Sequence, residues 1–419
     1  MQPLRIVQFL KWMRRRDGGV VNTVSLLCPM LTHLGHRVTL LNCGDDDLTD
    51  PIWLRQRPKP GEPIRHERGK VACVRVPMQD RIAELRGKSL DQSERDEPFQ
   101  LITQEGLDVC EAVLKDADVL HLHGVWASSN IQLAKLAQRL NIPYVVSPHG
   151  MLDDWSLSKG SFKKKIHLAL FSRSVLNNAL RVHFEVEEEA RQGRVHVTAP
   201  VVVGPPPPID PRSFEPLPSK DLALNAFPQL RTNAFKVLFL GRLSQKKAPD
   251  ALIRAAKIWK DQNLPIQTFI AGKGHPPEFE SELKALAKSL NVEDTVHFLG
   301  LVTGDLKWSL FQAVNATALP TSQENFGIAL VESMICGTPI VTTRQVDTWR
   351  EFEHAGAIIL PGGTTVAEQT AQAIAQLAQT PEKAIELGKQ SQTWATQTYT
   401  PAKLANWYVS ILNPSKRMG

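Results

Sequence analysis

The chain is expected to fold as an α/β protein of two domains, each a doubly wound parallel sheet, facing each other across a cleft. Three observations carry that expectation. Short apolar runs alternate with stretches of helical periodicity along the whole sequence. The pattern breaks at Gly204 and the four prolines Pro205–Pro208, then starts afresh. Glycine-containing turns also stand directly after several of the strand-like runs, where open parallel sheets place their ligands.

Arg5–Leu10 is apolar enough for a strand covered on both faces, Gly18 and Gly19 supply a turn, Val20–His33 has helical spacing, and Arg37–Asn42 is a second strand. That is a βαβ opening. Further strands are expected at Val71–Val76, Val119–His123, Tyr144–Ser147 and Val201–Val203, with helices at Ile131–Leu140 and Ser161–Phe171. Pro205–Pro208, followed by Pro211, Pro216 and Pro218, cannot extend a helix or a central strand. Residues 206–220 therefore read as a linker between domains 1–205 and 221–398. Beyond it come strands at Lys236–Leu240, Ile266–Ala271, Val296–Leu299 and Ile340–Thr342, helices at Pro249–Lys260 and Glu278–Leu290, and a helical tail over 399–419.

With 419 residues, 42% hydrophobic and 22% charged, the chain has the composition of a globular protein with room for two cores. A net charge of +6 is modest for this length; it suits an anionic ligand without indicating nucleic acid. Cys28, Cys43, Cys73, Cys110 and Cys336 show no CxxC spacing, and an odd number fits reduced thiols in the cytoplasm. No apolar run approaches the roughly eighteen residues of a membrane span.

Glu324 and Glu332 flank Gly327 at the start of an apolar helical run. A helix entrance presents amides without internal partners and partial positive charge, which favours phosphate. Eight residues of helix rise about 12 Å, so the two acids cannot share one proton and are spaced to touch two parts of one long ligand. The alternative is a pair of solvated helix charges. Gly241-Arg242 with Lys246 and Lys247 follows a strand and offers cations for a diphosphate, with Gly272-Lys273-Gly274 a weaker repeat. His149 stands just past another strand, between Pro148 and Gly150. His121 and His123 share one strand face, but no further ligands accompany them, so no metal site is expected. Asp45–Asp47 reads as solvated. Lys163–Lys165 with Ile166, Leu168, Leu170 and Phe171 suits either a solvated helix face or peripheral contact with anionic membrane.

Taken in order, Gly18-Gly19, Ser147-Pro148-His149-Gly150, Gly241-Arg242 with Lys247, Phe298-Leu299-Gly300 and Glu324 through Glu332 resemble the retaining glycosyltransferases of family 4, also called group 1. The resemblance implies the GT-B architecture of two Rossmann-like domains, with the last helix, near Pro401–Leu412, crossing back to the N-terminal domain. It implies a catalytic set of His149, Arg242, Lys247 and Glu324, in which the arginine and lysine hold a diphosphate. It also implies a donor-binding set of Gly18, Gly19, Asn325, Phe326, Gly327, Ile328 and Glu332, the last on the ribose. The expected substrate is a UDP- or GDP-linked sugar, the acceptor a glycan or lipid-linked glycan in bacterial surface polysaccharide synthesis, and no cofactor or metal is required. Nucleotide-sugar epimerases of the same architecture and a non-catalytic nucleotide-sugar-binding subunit are the alternatives. One departure stands out: the family usually follows its lysine with glycine, and this chain has Ala248-Pro249.

Overall fold

The computed structural model of the protein describes residues 2–13, 19–44, 64–68, 71–79, 100–158, 165–210 and 215–415. By contacts the chain divides into two compact units, Met1–Pro208 with Pro401–Gly419, and Ile209–Thr400. The boundary after Pro208 falls inside the proline-rich stretch, and the last helix groups with the first unit.

The first unit is built on β1 (Arg5–Phe9), β2 (Arg37–Asn42), β3 (Ile64–Arg68), β4 (Val71–Arg75), β5 (Met78–Gln79), β6 (Leu101–Ile102), β7 (Val119–His123), β8 (Tyr144–Ser147), β9 (Arg181–Phe184) and β10 (Val201–Val203). The main sheet has the order β10-β9-β8-β7-β1-β2-β4-β3, parallel except where β3 pairs with β4; β5 and β6 form a separate small pair. Alternate side chains enter two cores, one on each face. Val7, Phe9, Leu120, Leu122 and Val146 join the core beneath the helices Gln104–Leu114 and Ser128–Arg139. Ile6, Val38, Leu40, Val119 and Val145 join the other, with Val24 and Leu27 of the helix Gly19–His33 and Tyr408, Val409, Ile411 and Leu412 of the final helix Pro401–Leu412. Arg181 Nη1 donates to the carbonyls of Ile411 (2.7 Å) and Asn413 (3.1 Å), which have no helical partner of their own.

The second unit carries β11 (Phe235–Leu240), β12 (Ile266–Ala271), β13 (Val296–Gly300), β14 (Ala316–Leu319), β15 (Ile340–Thr343) and β16 (Ile358–Leu360), all parallel, in the order β13-β12-β11-β14-β15-β16. In each unit the first strand is central and the winding reverses beside it, between β1 and β7 and between β11 and β14. Loops leaving those strand pairs diverge to opposite faces and open a crevice at the carboxyl edge.

Several elements differ from expectation. β3, β5, β6, β9, β14 and β16 are strands that the sequence does not announce. Ala316-Thr317-Ala318-Leu319 has the low strand propensity of small residues, and its place is set by pairing with β11 and β15. Of the helix expected over Ser161–Phe171, residues 161–164 lie outside the described residues, and the rest runs through a widened π turn at Leu168–Ser172. Gly204 and Pro205–Pro208 are buried. Carbonyls between prolines have no sheet ladder, and side chains take them instead: His183 Nε2 lies 2.9 Å from the Pro205 oxygen, and Tyr408 Oη donates to Pro206 O at 3.3 Å. Gly204 has φ +69°, and a Cβ there would meet Trp407 Cζ2 at 2.3 Å. Only glycine fits.

His183 belongs to a buried line in which His121 Nε2 lies 2.7 Å from Ser147 Oγ, and Ser147 Oγ lies 2.7 Å from His183 Nδ1. Burial lowers the His183 pKa to about 4, against the opposing pull of Glu185 and the Pro205 carbonyl; burial also holds His121 and His123 well below the usual range. The neutral rings are thus preferred in the fold, while the unfolded chain takes up protons near pH 6.5. Stability from these groups is complete above that pH and declines as pH falls toward 4, by an amount on the order of 3 kcal/mol for His183 alone. Calorimetric melting of the protein between pH 7.5 and 5 should show a falling midpoint, and His183→Gln should flatten the slope. An unaltered slope in the variant would assign the acid sensitivity elsewhere.

Candidate functional site

At the second unit's switch point, two loops distant in sequence are joined. The loop after β11 forms a tight turn over Gln245–Lys247, and the loop after β14 crosses it. Ser322 N, Thr321 Oγ1 and Ser322 Oγ lie 2.8, 2.8 and 3.0 Å from the single carbonyl oxygen of Lys246. Beyond that stitch Glu324 is held in extended form against Val346, its amide donating to Gln345 O and its carbonyl accepting from Asp347 N, both at 2.9 Å. Its side chain meets Lys247, Nζ to Oε2 at 2.5 Å, with the two side chains only 16% and 18% exposed.

Burial pushes the Glu324 pKa up, but Lys247, Lys246 and Arg242 together outweigh it, and the net displacement is downward. An ionised carboxylate therefore sits among three cations. Lys247 is in contact with Glu324, while Lys246 and Arg242 stand close enough to act on its charge.

Gly327, at φ +77°, turns the chain into the helix Ile328–Ile335, whose first amides lack helical acceptors. Phe326 is an anchor for that turn: its ring is 3% exposed and stands edge-on to Tyr399 at 5.5 Å, and its carbonyl accepts from Thr348 Oγ1 at 3.0 Å. Only its backbone N–H is left to serve a ligand. Asn325 and Ile328 flank it, half-buried. Glu332, in the second turn, is buried and pairs with Lys307 at 2.5 Å. A cavity of about 770 Å³ borders the same two loops at Gln245, Ala248 and Pro320, but Arg242, Lys247 and Glu324 do not line it.

In the first unit, His149 follows β8 with φ +56°. Its Nδ1 lies 2.7 Å from Glu185 Oε1, just past β9, and its Nε2 lies 2.8 Å from His123 Nδ1. His123 Nε2 in turn lies 2.8 Å from Gln8 Oε1 on β1. Four neighbouring strands thus supply one line of hydrogen bonds along the carboxyl edge. Both nitrogens of His149 are engaged within the unit and its side chain is 4% exposed, so the ring is turned inward here rather than open to a sugar. Gly19 begins the helix after β1. Gly18, Arg14–Arg16, Asp45–Asp47, Lys163 and Lys164 lie outside the described residues. Among the described residues no three His, Cys, Asp or Glu side chains are grouped to hold a metal ion. The rings of His121 and His123 are 4.1 Å apart, with the nitrogens described above already bonded to protein.

Lys307, Glu185 and Gln8 carry no signal in the sequence. None stands in a recognisable motif, and each meets its partner through the tertiary fold.

Two family models match: the glycosyl transferase 4-like domain over residues 18–207, and glycosyl transferases group 1 over residues 223–394. The chain belongs to the group 1 glycosyltransferases. Among curated relatives, the D-inositol 3-phosphate glycosyltransferase of Mycolicibacterium gilvum is 30% identical over 235 residues, covering 54% of this chain and 50% of that protein. The Thermomonospora curvata protein of the same description is 32% identical over 244 residues, covering 54% and 55%. The chain spans about half the length of these relatives. Among solved structures, Anabaena HepE in complex with UDP and glucose superposes with a TM-score of 0.70 at 16% identity, over 96% of this chain and 97% of that one. WaaG, a glycosyltransferase involved in lipopolysaccharide biosynthesis, gives 0.66 at 16% identity over 96% and 98%. The fold of this group 1 glycosyltransferase is GT-B.

The family departure at Ala248 has a structural outcome. Ala248 adopts the left-handed conformation, φ +48° and ψ +49°, between the lysine turn and the helix Pro249–Asp261. The loop keeps a glycine-like backbone without the glycine. Left-handed geometry costs an L-residue roughly 1–2 kcal/mol, so Ala248→Gly should raise stability by about 1 kcal/mol. An unchanged or lower melting midpoint would count against that strain.

Proposed function

We propose that the protein transfers a sugar, with retention of anomeric configuration, from a UDP- or GDP-linked donor to a glycan or lipid-linked acceptor in bacterial surface polysaccharide synthesis. The observation that carries this reading is the Lys247–Glu324 pair at the switch point of the second sheet, with Lys246 and Arg242 near enough to draw the carboxyl pKa down. Breaking the bond between sugar and diphosphate leaves negative charge on the departing phosphate while the sugar carbon becomes cationic. Fixed cations lower the energy of that state more than of the ground state. Lys247 is held beside Glu324 in this structure; moving its ammonium onto a phosphate would free the carboxylate to accept sugar hydroxyls.

The ribose is assigned to Glu332, the diphosphate to Arg242 and Lys247, and the sugar to Glu324 with the backbone of Asn325–Ile328. Gly18 and Gly19 are the donor-binding turn of the first unit, where His149 takes part through its backbone or after its ring turns outward. The same-face departure and attack typical of retention needs no covalent nucleophile, and none is assigned. Protein cations do the work that a divalent ion would otherwise do. HepE bound to UDP-glucose and WaaG in lipopolysaccharide biosynthesis favour this donor and pathway class. Ile166, Leu170 and Phe171, 43%, 67% and 47% exposed beside Lys165, form a surface suited to a peripheral anionic bilayer and a lipid-linked acceptor.

Arg242→Ala and Lys247→Ala should each lower turnover at least about one hundred-fold; near-normal rates in both would remove the diphosphate role. Glu324→Ala should abolish most turnover while calorimetry still finds UDP or GDP bound, and lost nucleotide affinity would contradict that division. Donor turnover should persist in EDTA, whereas inactivation reversed by added divalent metal would refute metal independence.

A further inference from the structure

Lys307 stands in the first turn of the helix Gly304–Ala313, which follows β13, and Glu332 in the second turn of the helix Ile328–Ile335, which follows β14. Both helices begin at the carboxyl edge of the sheet, so the two side chains meet beside the switch-point crevice. Lys307 Nζ is 2.5 Å from Glu332 Oε1 and 4.3 Å from the centre of the Trp308 ring. The ammonium is held between a carboxylate and an indole face, an arrangement that favours one lysine rotamer.

Its hold on the glutamate is one-sided. Oε1 takes the ammonium, and a carboxylate has further lone pairs on Oε2 for another donor. The glutamate side chain is 6% exposed and the lysine 18%, so the pair is sheltered but reachable. An uncompensated carboxylate here would have no fixed orientation and would repel a diphosphate arriving at Arg242 and Lys247. Lys307 removes both faults, and its hydrogen bond is to Oε1 rather than Oε2.

We propose that Lys307 is a positioning residue for the nucleotide: it fixes Glu332 so that Oε2 accepts a ribose hydroxyl, and thereby makes the site select ribonucleotides over their deoxy counterparts. This rests on the donor reading above. It assigns Lys307 no contact with the reacting atoms.

Isothermal calorimetry with UDP, GDP and their 2′-deoxy and 3′-deoxy forms tests it on the full chain. Wild type should bind UDP or GDP and lose about tenfold for one of the deoxy forms, the equivalent of one charge-assisted hydrogen bond. Lys307→Met should weaken the ribonucleotide by about tenfold and leave that deoxy form unchanged; Lys307→Arg should recover most of the loss. Where Lys307→Met fails to fold because Glu332 is left unpaired, the double change Lys307→Met with Glu332→Leu removes both the stranded charge and the acceptor and should show no preference for ribose. The inference is overturned if Lys307→Met binds ribonucleotide like wild type, if it weakens ribo and deoxy forms alike, or if the double variant still discriminates. Wild type that binds neither UDP nor GDP would instead remove the donor reading, and this inference with it.

Discussion

Charge compensation between Lys247 and Glu324 governs what the second unit can hold. Two ions withdrawn from water gain little net stability from one another, so the pair is better understood as fixing where charge sits. The partners lie 77 residues apart in sequence. They meet because β11 and β14 are neighbours at the reversal of strand order, and because three donors of Thr321 and Ser322 gather on the Lys246 carbonyl. Topology brings the loops close, and that carbonyl sets their register. A second lysine–glutamate pair, Lys307 with Glu332, joins the helix after β13 to the helix after β14.

The first unit solves the corresponding problem without a lysine. Gln8, His123, His149 and Glu185 come from four adjacent strands, and His121, Ser147 and His183 form a second line. Histidine suits such positions because each ring can donate and accept, so a polar line can cross a buried sheet edge. The low proton affinity of His121, His123 and His183 follows from that enclosure.

The parts of the fold that could be read in the sequence are those where one local signal was strong. The apolar runs of β1, β2, β7, β8, β11 and β12 announce buried parallel strands, and the glycines and prolines mark the turns. β9 and β14 could not be read that way: Arg181 and His183 interrupt one, alanine and threonine fill the other, and both are strands because their neighbours demand it. The candidate site divides similarly. Arg242, Lys247, Glu324 and Glu332 are visible because loops after strands and a helix entrance have recognisable chemistry. Lys307 and Glu185 are ordinary surface-type residues in sequence, and only packing gives them partners.

Tyr408, Val409, Ile411 and Leu412 complete one core of the first unit, while Trp407 lies against Gly204 and Tyr408 against Pro206. That unit is therefore discontinuous along the chain. During synthesis its N-terminal portion must wait, with part of one sheet face uncovered, until the ribosome has delivered all of Ile209–Thr400 and the helix Pro401–Leu412 behind it. Folding of that unit is finished by residues made after the second unit.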